Sequence, residues 1–253
     1  MEKPIGFIGG GRITKIFLQA FQNRNFSLKN VAVYDINSDA SVKLKQKFPD
    51  ISITDLKSVS SREIVFISLH PPAIMEVLGS IKGLVNASSI VISLAPKITL
   101  DKISANLENK NIVRMIPNAT SVINQGYNPV CFEPDCADKQ NIMELLSVLG
   151  KTFETDEPKL EAYAIASAML PTYFWFQWFE IIEIAKQIGL SEAEANETVE
   201  QTLLASIETA FRSGLSPLEV SDLIPVKPIG ESEGQVKEIL QTKLLALYRK
   251  IKP

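Results

Sequence analysis

Apolar positions fall along this chain in two regimes. Up to about residue 155, short runs rich in β-branched side chains alternate with stretches in which apolar residues recur every three or four positions. The runs 5–9, 31–35, 51–53, 64–69, 90–94 and 112–116 predict strands, and 13–21, 40–48, 73–81 and 100–107 predict the helices between them. A further strand near 129–132, a helix over about 139–149 and a last strand at 152–154 complete this part. A βα rhythm of this kind predicts a doubly wound parallel sheet covered by helices on both faces.

After Thr155 the rhythm stops and only helical patterns remain. Asp156 is placed to cap a long helix that ends at Gly189, and Ser191 with Glu194 forms the Ser-x-x-Glu signature of a second helix ending near Gly214. The segment LIPVKPIG over 223–230 leads to a final helix with apolar positions Val236, Ile239, Leu240, Leu244, Leu247 and Ile251. The chain thus divides into an α/β domain over 1–155 and an all-helical domain over 156–253. One stretch, AYAIASAMLPTYFWFQWF over 162–179, carries no charge and is about as long as a spanning helix must be. Pro171 lies in its middle and Glu180 and Glu183 follow at once, so enclosure by a helical domain and a second subunit is expected instead of lipid.

Composition narrows the function classes. With 45% apolar and 22% charged residues the 253-residue chain reads as packed and globular, and a net charge of −3 offers no broad basic face for nucleic acid. Cys131 and Cys136 are too few for a disulfide framework, and with a single histidine no four-ligand zinc set exists, so no metal site is expected. Reduced thiols and a cytoplasmic location are the expectation, and MEKPIGFIGGG at the start reads as a strand and a turn, not as a targeting peptide.

The strongest chemical signal is that opening turn. Gly9 and Gly11 follow an apolar strand and precede a helix: the first permits the tight turn, and the second lets a diphosphate approach the backbone. The helix start at Arg12 and Ile13 supplies amide donors and a positive dipole end. Thr14 holds the place of a third glycine. Asp35, ending the second strand, is positioned to accept hydrogen bonds from a ribose 2′-hydroxyl and to repel a 2′-phosphate, which favours NAD over NADP. At the carboxyl ends of later strands lie Leu69, His70 and Pro71, then Ser93 and Ala95, then Asn118, where doubly wound folds bind ligands. His70 is also a candidate proton donor, being a ring that titrates near neutrality.

Read together, these motifs resemble the pyrroline-5-carboxylate reductase family over most of the chain. The likeness is carried by Gly6 to Gly11, by Ser93 to Ala95, and by VRMIPNATSVINQG, in which Arg114, Pro117 and Asn118 match and Ile116 replaces a methionine. Departures fall mainly in the second half. A Lys-Pro of the family is here His70 and Pro71, SAMLPTY keeps only Ser167, Pro171 and Tyr173, and VKPIGES keeps Pro228, Gly230 and the hydroxyl of Ser232 but introduces Glu231. Asp35, Ile36 and Asn37 stand where NADP-using members have Asn-Arg-Ser.

The resemblance implies a Rossmann domain and a helical dimerisation domain, NAD(P)H as coenzyme, a homodimer or larger homo-oligomer, and hydride transfer to the C=N bond of a small cyclic imino acid. It implies nicotinamide contacts for Asn118 and substrate roles for Ser167 and Ser232. Ser232 with Gln235 also reads as a capping box for the last helix. Two rivals stay open. A β-hydroxyacid dehydrogenase type would need a lysine within the long helix, and none lies between Lys159 and Lys186. A nucleotide-binding dimer without turnover would account for the altered SAMLPTY and VKPIGES segments.

Overall fold

The computed structural model describes residues 3–253. They form two compact units, one running to Met169 and joined by Leu247–Pro253, the other covering Leu170–Ala246. The βα rhythm ends at Thr155 in the sequence, whereas the first unit continues through a further turn of chain whose Leu160 and Ala164 lie in its core.

The first unit is an eight-stranded sheet: β1 (Ile5–Ile8), β2 (Val31–Tyr34), β3 (Ser52–Ile53), β4 (Ile64–Ile67), β5 (Ile90–Ser93), β6 (Ile112–Met115), β7 (Gly126–Phe132) and β8 (Gly150–Glu154). The spatial order is β3-β2-β1-β4-β5-β6-β7-β8, parallel throughout except between β6 and β7. Helices α1 (Arg12–Asn23), α2 (Ser38–Lys47), α3 (Leu56–Ser60), α4 (Pro71–Ile81), α5 (Leu100–Leu107) and α6 (Lys139–Ser147) connect or flank these strands. Successive strand residues face opposite ways, so each apolar run feeds two cores. Phe7 and Phe66, stacked at 4.6 Å, pack with Phe17 and Phe21 of α1 on one face. Ile8, Val65 and Ile67 pack with Ile74 and Leu78 of α4 on the other.

Helix α3 was not legible as a helix, being five residues long and mostly polar. It forms because the Asp55 side chain accepts from the Ser58 amide at 2.8 Å. The register aligns Ile8 with both Tyr34 and Ile67, and Ile67 with Ser93. The residues that follow these four therefore emerge along one edge of the sheet, around the β1/β4 switch point where the connection order reverses.

The expected continuous helix from 156 to 189 does not exist. Asp156 makes no side-chain cap and instead pairs with Lys159 at 2.7 Å. The chain passes through a 3-10 turn (Glu157–Lys159), the short α7 (Leu160–Tyr163) and a π turn (Ala164–Ala168). A new helix, α8 (Pro171–Gln187), then begins at a proline, which has no N–H to give to a preceding turn.

In the second unit α8 is followed by α9 (Glu192–Arg212), α10 (Pro217–Asp222) and α11 (Glu233–Ile251), the last ending in the first unit. The Ser191–Glu194 capping box of α9 is present, and a second one, Ser216 with Glu219, starts the unexpected α10. Ser232 does not stand outside α11 as an N-cap. It is the last residue of a 3-10 turn (Gly230–Ser232), with its N–H bonded to the Ile229 carbonyl. Ala195 and Val199 are the buried apolar residues of this unit, while Phe176, Phe179 and Phe211 are 66%, 64% and 83% exposed. Among the described residues no helix is long and apolar enough to cross a membrane.

Candidate active site

The switch-point edge is built around the glycine turn. Gly9 has φ +104°, donates its N–H to the Tyr34 carbonyl at 2.7 Å, and sits so close to β4 that a Cβ would stand 2.6 Å from the Ser68 carbonyl oxygen. Only glycine meets both demands. Thr14, fully buried, donates its hydroxyl back to the Gly9 carbonyl at 2.5 Å and ties the helix to the turn. A glycine could pack there but could not make this bond. Gly11 is different: its φ is ordinary, and a Cβ would meet nothing within 4 Å. The space outside it is open. Helix α1 starts at this residue without a side-chain cap and without an acid in its first turn, which leaves its first amides free for an anion.

Asp35 lies half-buried beside this turn. Its Oδ2 accepts from the Gly10 amide at 2.7 Å and its Oδ1 from the Asn37 amide at 2.8 Å, while Asn37 itself caps α2. The two bonds fix the carboxylate and leave further lone pairs for ligand hydroxyls. His70 is exposed at the N-cap of α4, its ring making no cap bond, with Pro71 next in chain and Leu69 half-buried before it. Ser93 and Ala95 are buried at the end of β5. The hydroxyls of Ser68 and Ser93, at neighbouring strand ends, have no hydrogen-bond partner. Buried hydroxyls are rarely left in that state unless something else completes them.

Asn118 and Ser167 are brought together by the π turn. Asn118 Nδ2 donates to Ser167 Oγ at 3.0 Å, and Ser167 donates to the Tyr127 carbonyl at 3.1 Å. Asn118 Oδ1 accepts from the Thr120 amide and hydroxyl at 3.0 and 2.8 Å, so this amide is already heavily engaged. Ser232 belongs to the second unit and is exposed.

The sequence reading passed over one cluster. Arg114, fully buried, reaches Glu157 at 2.6 Å and Glu161 at 2.5 Å, and Glu161 is 1% exposed. The same carboxylates hold the loop after β5, Glu161 accepting from the Lys97 amide at 3.0 Å and Glu157 from the Leu100 amide at 2.7 Å. Burial opposes the charge on Arg114, but the two glutamates outweigh it and hold its guanidinium above its ordinary value. The only signals available in sequence were the i, i+4 spacing of the glutamates and an arginine inside an apolar strand. Burial pushes the neighbouring Cys131 thiol up to about 12 and Cys136 up to about 11, which makes both poor nucleophiles.

Strand order and turn together define a Rossmann-type protein, and the family described as NADP oxidoreductase coenzyme F420-dependent matches residues 4–97. Over a longer span the chain is 24% identical to the pyrroline-5-carboxylate reductase of Corynebacterium melassecola, covering 97% of this chain and 93% of that one. It is 26% identical to that of Escherichia coli K12, covering 88% and 85%. The Plasmodium falciparum pyrroline carboxylate reductase with NADP bound superposes with a TM-score of 0.81 at 20% identity, over 99% of this chain and 97% of that one. The chain is thus similar, over most of its length, to pyrroline-5-carboxylate reductases.

Proposed function

We propose that the protein uses a reduced nicotinamide coenzyme to reduce the C=N bond of a small cyclic imino acid of the pyrroline-5-carboxylate type. The observation that carries this reading is the open, uncapped start of α1 beside a pinned Asp35, within a chain similar to these reductases almost end to end.

The residues present fit the coenzyme. Gly9 shapes the turn, Gly11 leaves the space outside it open, and the amides of Arg12 and Ile13 at the uncapped start of α1 would hold a diphosphate there. Asp35 would hold the adenosine ribose, and its fixed negative charge supports NADH over NADPH. Leu69, His70, Pro71, Ser93, Ala95 and Asn118 are assigned to the nicotinamide half. The bound coenzyme supplies the hydride, and the chain's contribution is orientation. Ser167, held by Asn118, and Ser232 are assigned to the substrate by the resemblance of their segments, and His70 is assigned a proton. The large apolar side chains left exposed on α8 and α9 support a homo-oligomer in which a second copy covers them.

A second reading, a coenzyme-binding dimer without turnover, is favoured by one feature, the altered SAMLPTY and VKPIGES segments. Incubation with pyrroline-5-carboxylate and either coenzyme separates the two. The expected result is coenzyme oxidation that is faster with NADH, and a shift of at least about tenfold toward NADPH in Asp35→Ser, equal to about 1.4 kcal/mol. Binding without turnover supports the second reading, and failure to bind either coenzyme removes both. Light scattering at twice the monomer mass or more is expected for the intact protein.

A further inference from the structure

Three pieces of chain that carry proposed site residues meet at Arg114. From Arg114 in β6 the chain reaches Asn118 four residues later, and from Glu161 in α7 it reaches Ser167 six residues later, through the π turn. The third piece is the loop after β5, which carries Ala95. All three belong to the first unit. The guanidinium joins them by two parallel bridges. Its Nη1 donates to Glu157 Oε1, which also accepts from the Leu100 amide. Its Nη2 donates to Glu161 Oε1, which also accepts from the Lys97 amide.

Stability alone does not call for this arrangement. Enclosing a guanidinium and a carboxylate costs heavily in desolvation, and apolar side chains of the same volume often serve a fold as well or better. What a planar fork of fixed donors adds is direction. Each bridge sets where a loop amide stands relative to β6, whereas an apolar contact tolerates sliding. The effect extends to the site. Asn118 Nδ2 meets Ser167 Oγ at 3.0 Å because β6 and α7 keep this spacing, and the held loop leaves from β5, the strand beside β6 that pairs Ser93 with Arg114.

We propose that Arg114 is a positioning residue for hydride transfer. Through Glu157 and Glu161 it fixes the loop after β5 against the pair Asn118 and Ser167, and being fully buried it touches neither coenzyme nor substrate itself. The inference rests on the coenzyme-dependent reading above. A misplacement of about 1 Å, made far from the reacting atoms, can cost on the order of 100-fold in rate.

Single-turnover hydride transfer is the test, because its rate constant reports geometry and its amplitude reports how much protein is folded. Wild type, Arg114→Lys and the double variant Arg114→Met with Glu161→Gln are loaded with NADH, mixed with excess pyrroline-5-carboxylate and followed by coenzyme absorbance. Arg114→Lys keeps the charge without the fork, and the double variant removes both charges. Both are expected to lower the rate constant at least about tenfold, with NADH affinity within about threefold of wild type. A cluster that served stability alone would lower the amplitude and keep the rate constant, and that result overturns the proposal. Amide exchange gives a readout without turnover. Residues 95–100 and 163–168 should exchange at least about tenfold faster in Arg114→Lys while β1 and β4 keep their protection. Equal loosening of β1 and β4 overturns the proposal, as does no loosening at 95–100 and 163–168. If wild type binds NADH without turnover, the proposed reaction falls, and the local loosening still supports Arg114 as the residue that places Asn118 and Ser167. If wild type turns over and both variants keep its rate constant, the reaction stands and Arg114 falls.

Discussion

Gly11→Val is expected to weaken NADH binding at least about 100-fold, roughly 2.7 kcal/mol, with a melting temperature close to that of the parent protein. The prediction depends on what surrounds Gly11: ordinary backbone angles and open space for a Cβ, so that a larger side chain disturbs nothing but the volume a diphosphate would occupy. Gly9→Ala should behave in the opposite way. With φ +104° and the Ser68 carbonyl oxygen 2.6 Å from the added carbon, it should lose at least about 1–2 kcal/mol of stability before any ligand is considered. Isothermal titration with NADH and thermal melts on both variants separate the two effects. Undiminished NADH affinity in Gly11→Val removes the coenzyme site from this turn.

The largest stability loss is expected at Arg114. Removing its guanidinium takes the cation partner from Glu161, which is 1% exposed, and from Glu157, and breaking a buried pair from one side costs about 3–5 kcal/mol. Arg114→Met measured by urea denaturation should show a loss in that range, and adding Glu161→Gln should recover part of it, because the uncompensated charge is then gone. A loss below about 1 kcal/mol in Arg114→Met would mean that water reaches Glu161 and that the cluster does not fix the loop after β5.

The first half of the fold was readable because burial on both faces of a parallel sheet forces continuous apolar runs, and these are bounded by residues with a single local job. Asn37 and Thr99 cap α2 and α5, and Gly9 turns the chain. What escaped the reading is set by tertiary contacts. Helix α3 has too few apolar residues to show a period, and the 3-10 turn at Ala119–Ile123 depends on the Asn118 side chain. The break in the expected long helix reflects Pro171 together with Glu157 and Glu161, which are drawn to Arg114. That pull is invisible until β6 is placed beside them. For the site, the glycine turn and Asp35 were legible because neighbouring residues build them. The fixed loop after β5 was not, because the Lys97 amide is held by a carboxylate 64 positions away.

The π turn at Ala164–Ala168 makes the meeting of Ser167 with Asn118 a matter of counting. An α-helix advances about 100° per residue, and a π turn accommodates one residue more than the α period allows. Loss of a single alanine from this stretch would swing Ser167 about a quarter of the way round the axis and point its hydroxyl away from both Asn118 and the Tyr127 carbonyl. Exchange of the same alanine for serine would leave the alignment in place. Within these five positions, length is under tighter constraint than side-chain identity.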